Sequence, residues 1–557
     1  MRKKPAKVFF VFVLTILLGF TSPFSSDHKY ENYDYFEITK NLKILASIYE
    51  KINTLYVDEP VPGELMKIGI DAMLASLDPY TVFIPESNIE DYRFMTTGQY
   101  GGIGAIIKKV ENNIVVTEPY ENSPAKEAGL RAGDVIIEVD GESVEGRSID
   151  DMSNLLKGAA ETQVNIKFSR NNEIQLVVVT RKKIAIPAVP YYGMLENNIG
   201  YIKLTSFTDK ASKEILEGLT ELKENQSMEK VIIDLRGNGG GLLGEAVNIV
   251  NLFIPKDQKV VETKGRIEEI NRVYKTRNTP FDLDIPVIVL IDSYSASASE
   301  IVSGSLQDLD RAVVIGNRSF GKGLVQQTKD IKFGAKIKLT VAKYYTPSGR
   351  CIQKLDYSNK NQFGIVNEIA DSLIQTFHTK NGRKVKDSRG VEPDINIEPG
   401  YYSKLSEVLI YKDYIFKYVN KYVNDHELIQ SVKEFKLSEE EYSEFKKYIK
   451  ATNIKYTNES SDLLNELIIS SEREKYYNQN KEIYENLKTN LKPNLSKDLE
   501  RYKEEIIEVL ENEIVSRYFY QRGRVEVSLK NDPYILKAKS VFTDLKEYNE
   551  ILNPADQ

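Results

Sequence analysis

The chain has 557 residues, 41% hydrophobic and 28% charged, a size for about three or four domains around a substantial core. Its 75 Lys and Arg against 82 Asp and Glu leave a net charge of −7, which argues against nucleic acid as a general partner while allowing a local basic groove. The single cysteine, Cys351, rules out an intrachain disulfide. With three scattered histidines and no HExxH or CxxC, no metal site and no cofactor is expected.

Arg2, Lys3, Lys4 and Lys7 precede an apolar run from Val8 to Phe20. Its length suits the hydrophobic part of a secretory leader and is short for a membrane span. Residues 1–26 are therefore expected to be a signal peptide, or an uncleaved N-terminal anchor because no A-x-A site follows. Both readings describe an exported bacterial protein in the periplasm or on the outer face of the inner membrane. Residues 30–90 read as a helical segment. Ile38, Leu42, Leu45, Ile48, Ile52 and Leu55 recur at three- and four-residue steps and predict a helix over 35–56, with a second over 65–77.

Across 91–182 the texture changes to short strands and glycine turns. Gly101-Gly102-Ile103-Gly104 opens a strand, Asn113 to Thr117 is another, and Ser123 to Gly141 holds a glycine-closed short helix, a Gly-Asp turn, a strand and an Asp-Gly hairpin turn. This stretch resembles a PDZ domain. Residues 183–400 alternate strand and helix, with buried strands at Val231–Leu235, Val287–Ile291 and Ala312–Ile315 and helices at about 241–253 and 296–309, an α/β layer pattern. Residues 401–557 are rich in Lys, Glu, Asn and Tyr and read as a separate helical domain. Ser438-Glu439-Glu440-Glu441 is a capping box with Leu437 and Tyr442 as its staple. Leu499, Tyr502, Ile506, Leu510 and Ile514 mark a helix expected to stop near Gly523. Its charge is read as a solvated face or, alternatively, a partner surface.

The chemistry-bearing motifs are Ser293 to Glu300 and Ser319-Phe320-Gly321-Lys322-Gly323. A serine at a helix start gains unpaired N–H groups and a dipole that stabilises an oxyanion, and Ala298 follows Ser297 to supply such an N–H. The same pattern also fits a plain polar cap. No histidine lies in either motif, so lysine is the better base. A free lysine, with a pKa of about 10.4, is neutral only about once in 10³ to 10⁴ molecules near pH 7, and burial between Gly321 and Gly323 lowers that pKa. Gln326 stands four residues on, placed to hydrogen-bond the amine.

Three other motifs compete. Gly316 to Lys322 fits a phosphate-binding loop except that Gly323 replaces the Mg²⁺-binding Ser or Thr, and Leu324 to Thr328 reads as strand. Gly239-Gly240-Gly241-Leu242-Leu243-Gly244 fits a dinucleotide loop with Glu262 downstream, against which stands the leader. Ser123-Pro124-Ala125-Lys126 is an S-x-x-K without its companion motifs.

Taken together, Asp234 to Gly241, Ser295 to Ile301, Gly321-Lys322-Gly323 with Gln326, Tyr345 to Arg350 and Gly390 to Ile395 resemble the C-terminal processing peptidases, or tail-specific proteases, over about residues 35–400. The resemblance implies a multidomain α/β chain: a PDZ domain plus a crotonase-like ββα protease core, with helical N-terminal and C-terminal segments. It implies a serine endopeptidase with Ser297 as nucleophile, Lys322 as general base and Gln326 as its orienting partner. Ala298 with Gly240 or Gly241 would form the oxyanion hole. Gly101, Gly102, Ile103 and Gly104 would receive the substrate's terminal carboxylate. The implied partners are proteins or peptides with exposed C-termini; membrane association through the N-terminus and a homodimer stay open. A catalytically silent PDZ adaptor and a nucleotide-dependent enzyme remain as rival readings.

Overall fold

The structure, a computed structural model, describes residues 35–360, 364–398 and 400–554. The expected leader, residues 1–26, lies outside them. The N-terminal unit, ending at Met73, contains α1 (Tyr35–Leu55) and most of α2 (Pro62–Ala75), the helices predicted by the apolar spacing. The Tyr49 hydroxyl of α1 donates to the Pro62 carbonyl at 2.8 Å.

From Leu74 onward the chain forms one unit. It begins with β1 (Val82–Ile84), α3 (Ile89–Thr97) and β2 (Gln99–Gly102). The PDZ-like part follows as β3 (Ala105–Val110), β4 (Asn113–Pro119), α4 (Pro124–Glu127), β5 (Val135–Val139), β6 (Glu142–Ser143), α5 (Ile149–Leu156), β7 (Gln163–Arg170) and β8 (Glu173–Thr180). Its antiparallel sheet runs β3-β4-β5-β7-β8, with β6 on β5. Met152 and Leu156 of α5 pack into the same core as Ile114, Val116 and Ile136. Strand β9 (Lys182–Ala185) pairs with β2, so the PDZ-like part leaves the chain where it entered. Ser123 Oγ caps α4 by accepting from the Lys126 N–H, which accounts for the S-x-x-K as a helix cap.

The α/β part consists of β10 (Tyr191–Met194), β11 (Ile199–Lys203), α6 (Ala211–Gln226), β12 (Lys230–Asp234), α7 (Leu243–Asn251), β13 (Lys259–Gly265), β14 (Arg272–Lys275), β15 (Val287–Ile291), α8 (Ala298–Asp308), β16 (Ala312–Gly316), β17 (Leu324–Asp330) and β18 (Lys336–Tyr345). Short strands β19 (Leu355–Lys360), β20 (Val366–Glu368), β21 (Thr376–His378), β22 (Lys384–Lys386) and β23 (Ile395–Asn396) complete it. The antiparallel pair β10–β11 followed by α6 gives the expected ββα order. The main sheet runs β10-β11-β12-β15-β16-β23 and is parallel from β11 onward. Continuous Val/Ile runs fit it because both faces are covered. Ile215, Leu219, Ile249, Val302 and Leu306 of α6, α7 and α8 cover one face. A second sheet runs β1-β18-β13-β14, with β17 on β18.

The C-terminal region continues with α9 (Lys404–Tyr411), α10 (Tyr414–Asp425), α11 (Glu439–Ala451), α12 (Glu459–Arg473), α13 (Lys481–Leu491), α14 (Leu495–Arg501), α15 (Lys503–Ser528), α16 (Pro533–Thr543) and α17 (Leu545–Leu552). The Ser438 capping box forms, and Leu437 and Tyr442 share one core with Leu499, Ile506, Leu510 and Ile514. Gly523 does not end the last long helix. The break falls at Tyr520 (φ 53°, ψ −154°), and helix resumes through Gly523 to Ser528.

Helices α16 and α17 pack elsewhere. Ile535, Val541, Phe542 and Tyr548 cover the second face of the main sheet, against Tyr201, Ile232, Ile288 and Leu290. The last two helices of the expected helical domain over 401–557 thus pack on the α/β sheet. Arg236 anchors them, pairing with both Asp234 and Asp532 and lying over the Tyr534 ring. Phe542 is almost fully buried. Phe542→Ala is expected to cost about 3–5 kcal/mol, read as a lower denaturation midpoint in urea. An unchanged midpoint would show that these helices do not stabilise the core.

Candidate active site

Loops leave the carboxyl ends of three adjacent parallel strands and meet. After β12 comes the glycine turn over 235–242, after β15 the serine turn over 292–297, and after β16 the lysine turn over 317–323. Open parallel sheets collect their sites at this end.

Asn238 joins the first two turns. It is fully buried, and its Nδ2 donates to the Leu204 carbonyl at 3.0 Å. Its Oδ1 accepts from the Gly240 N–H at 2.9 Å, and its carbonyl accepts from Ala296 N and Ser299 Oγ. Ser295 Oγ donates to the Leu235 carbonyl, and Asp292 accepts from Gly237 N. These bonds leave Ser297 at a sharp corner with φ 57° and ψ −110°, a conformation that costs a non-glycine residue about 1–3 kcal/mol and persists only where neighbours enforce it. Ser297 caps α8. The Ala298 N–H behind it donates to no group among the described residues.

Of the two glycines expected at the oxyanion hole, Gly240 has its N–H engaged by Asn238. Gly241 forms a parallel bridge with Phe207, in which Gly240 O and Leu242 N make the bonds. That geometry turns the Gly241 N–H away from Phe207, and it donates to no group among the described residues. Gly240 acts instead through its missing side chain. A Cβ there would lie 2.7 Å from Ala296 O, 2.9 Å from Ser297 Cβ and 3.0 Å from Ala298 N, at a φ of +100°.

Ser297, Ala298, Gly240, Gly241, Lys322 and Gln326 all line one cavity of about 670 Å³. Helix α3 walls it from the PDZ side through Tyr92, Phe94 and Met95, and the Tyr92 hydroxyl donates to Thr328 Oγ1 of β17 at 2.8 Å. The strand β17 that follows Lys322 removes the phosphate-loop reading, which needs a helix there.

Lys322 Nζ makes no hydrogen bond or ion pair among the described residues. It sits 4.2 Å from the centre of the Tyr80 ring. Burial, with the nearby Lys338 charge, pushes its pKa down to about 8, while Glu300 and Asp78 pull the other way. Lys338 lines the same cavity, and burial lowers its pKa too. Gln326 is in place but its Nε2 donates to Thr340 Oγ1 at 3.2 Å; the expected bond to the lysine amine is not formed here.

Gly101, Gly102, Ile103 and Gly104 lie outside this cavity, in the PDZ-like part. Gly101 and Gly102 pair with β9, and Gly104, at φ +74°, accepts from Tyr120 N. The strand that follows them, β3, is an edge strand with α5 beside it.

Sequence reading passed over Glu300, Tyr344 and Lys338. The spacing Ser297-x-x-Glu300 is itself a capping box and could have flagged Glu300. Its Oε2 accepts from Ser297 N at 2.7 Å. The Tyr344 hydroxyl donates to the Ser297 carbonyl at 3.1 Å.

A family model described as peptidase family S41 matches residues 198–370, a PDZ domain model matches 115–170, and a model of the C-terminal helical domain of a probable PDZ-protease matches 405–542. The carboxy-terminal-processing protease of Bartonella bacilliformis is 35% identical over 320 residues, covering 56% of this chain and 73% of that one. A probable CtpA-like serine protease of Staphylococcus haemolyticus is 30% identical over 460 residues, covering 77% and 84%. Among solved structures, a photosystem II D1 C-terminal processing protease aligns over 64% of this chain and 93% of its own, with 27% identity and a TM-score of 0.35.

Gly240→Ala tests the packing of the serine corner. The added methyl has only backbone and Ser297 Cβ to displace. A shift of about 1 Å at the Ser297 hydroxyl is expected to lower kcat by about 10²-fold. Wild-type kcat in this variant would show that the corner does not depend on the glycine.

Proposed function

This chain belongs to the carboxy-terminal-processing proteases of peptidase family S41, serine-type peptidases that here carry a PDZ domain, and from that premise we propose that it works through a Ser297–Lys322 dyad on exported proteins with accessible C-termini. One observation carries the dyad: a half-buried lysine amine with no hydrogen-bond or salt-bridge partner among the described residues shares a cavity with a serine at a helix N-terminus.

Ser297 Oγ attacks the substrate carbonyl while neutral Lys322 takes its proton. The developing oxyanion accepts hydrogen bonds from the N–H groups of Ala298 and Gly241. Lys322 then returns the proton to the leaving amine. Water repeats the sequence on the acyl-enzyme and frees Ser297. With Gln326 Nε2 on Thr340, its Oε1 is the end that accepts a hydrogen from the lysine amine and turns the lone pair toward Ser297. The PDZ domain takes the substrate's C-terminal residues along the open edge of β3, with the carboxylate at Gly101–Gly104. The basic and apolar N-terminal run supports action outside the cytoplasm.

An active-site serine label is expected on the wild type and absent from Ser297→Ala; labelling of both would remove the nucleophile. Peptides held by Ser297→Ala are expected to bind through a free C-terminal carboxylate, and equal affinity for the amidated form would remove the PDZ reading. The base must be neutral, so activity rises with pH and levels above a pKa of about 8. Below that value the rate is expected to fall by about tenfold per pH unit. Lys338→Met removes a like charge that disfavours the ammonium form. The pKa of Lys322 then rises and the acidic limb moves to higher pH. A limb that stays in place in this variant would refute the assignment of Lys322 as the titrating base.

A further inference from the structure

The dyad leaves one buried carboxylate without a role. Glu300 lies in the first turn of α8 with no exposed surface, and among the described residues no lysine, arginine or histidine pairs with it within salt-bridge distance. Its partners are instead donors from both reactive loops. Oε2 accepts from Ser297 N at 2.7 Å and from Lys322 N at 2.9 Å. Oε1 accepts from Gly321 N at 2.7 Å and from Ser319 Oγ at 2.6 Å. A single oxygen atom therefore grips the main chain of the nucleophile and the main chain of the base.

We propose that Glu300 is a positioning residue that sets the distance between Ser297 and Lys322 by bridging their backbone amides, a role that rests on the dyad reading above. Three of its four donors are N–H groups, which can only donate. A carboxylate with both oxygens accepting satisfies them, whereas an amide of the same shape turns an NH₂ toward at least one of them. Burying a carboxylate without a counter-cation is costly, and burial accordingly raises its pKa, while the four hydrogen bonds offset that cost.

Ionised, Glu300 has a second effect: its negative charge favours the Lys322 ammonium against burial. The other titratable groups around the pair are Lys338 and Tyr344 on β18, Cys351 beyond it, and Asp78 and Tyr80 before β1.

The test compares full-length wild type, Glu300→Gln, Ser319→Ala and the control Ser297→Ala by peptide hydrolysis across pH, with thermal melts to measure the folded fraction. Glu300→Gln is expected to lower kcat by about 10²-fold with KM little changed, because the reacting groups are displaced and the binding surface is not. Its acidic limb is expected at lower pH, since loss of the negative charge destabilises the ammonium. Ser319→Ala removes one of the four donors and is expected to give a smaller fall in kcat.

A folded Glu300→Gln with wild-type kcat and an unmoved limb overturns the proposal. So does a loss that only tracks the folded fraction. If Glu300→Gln does not fold, Ser319→Ala decides: reduced kcat at unchanged KM and melting temperature supports the role, and wild-type kcat overturns it. Hydrolysis that survives Ser297→Ala refutes the dyad and this role together. Hydrolysis that needs Ser297 but ignores Glu300→Gln refutes this role alone.

Discussion

The proposed dyad pairs a hydroxyl and an amine from different parts of the chain without a histidine between them, and the parallel sheet supplies their register. Strands β12, β15 and β16 are consecutive neighbours, and each releases its loop at the same edge. The strand pairing fixes the spacing of the loop bases. Asn238 then ties the glycine turn to the serine turn, and Glu300 ties the serine turn to the lysine turn. Both ties are buried polar groups with every bond internal, the arrangement in which such networks hold one conformation. The corner at Ser297 is affordable because these bonds surround it.

The electrostatics follow from the same packing. Burial removes water from Lys322, and Lys338 adds a like charge, so the amine is pushed toward its neutral form. Glu300 and Asp78 act in the opposite direction, and the resulting pKa is about 8. A base with a pKa near the working pH combines a useful neutral fraction with enough basicity to draw a proton from a hydroxyl. The balance involves two lysines and two carboxylates within one small region.

Much of this was legible in the sequence. Ser297 and Lys322 stand out because a hydroxyl at a helix start and a lysine between glycines are local patterns, and the hydrophobic runs of β12, β15 and β16 announce a parallel sheet. What escaped depends on partners distant in sequence. The choice between Gly240 and Gly241 turns on where the Asn238 side chain points. The bond made by Gln326 goes to Thr340, across the β17–β18 hairpin. Gly523 carries the local signal for a helix end, yet the chain breaks at Tyr520, whose ring lies under Lys126 of the PDZ domain at 4.2 Å. The amphipathic pattern of α16 and α17 says that one face is buried, but not that the main sheet is what buries it.

The PDZ domain is fastened in a way that keeps the edge of β3 clear. Phe416 of α10 packs on Val110 and Val115, the outer face of the PDZ sheet, while Met152 and Leu156 of α5 occupy the inner face. Lys108 pairs with Asp413, Lys417 with Glu111, and Arg524 with the buried Glu118. Exposed pairs such as Lys417–Glu111 contribute little on their own, so the apolar contact of Phe416 and the shielded Glu118 pair carry most of the attachment. Because that attachment uses the sheet's outer face, the edge of β3 beside α5 keeps its unpaired backbone groups. Helix α3 and the β2–β9 pair then connect this domain to the cavity wall. The edge of β3 and the carboxyl edge of the main sheet are thus separate surfaces of one unit, the first offering unpaired backbone groups and the second gathering the glycine, serine and lysine turns.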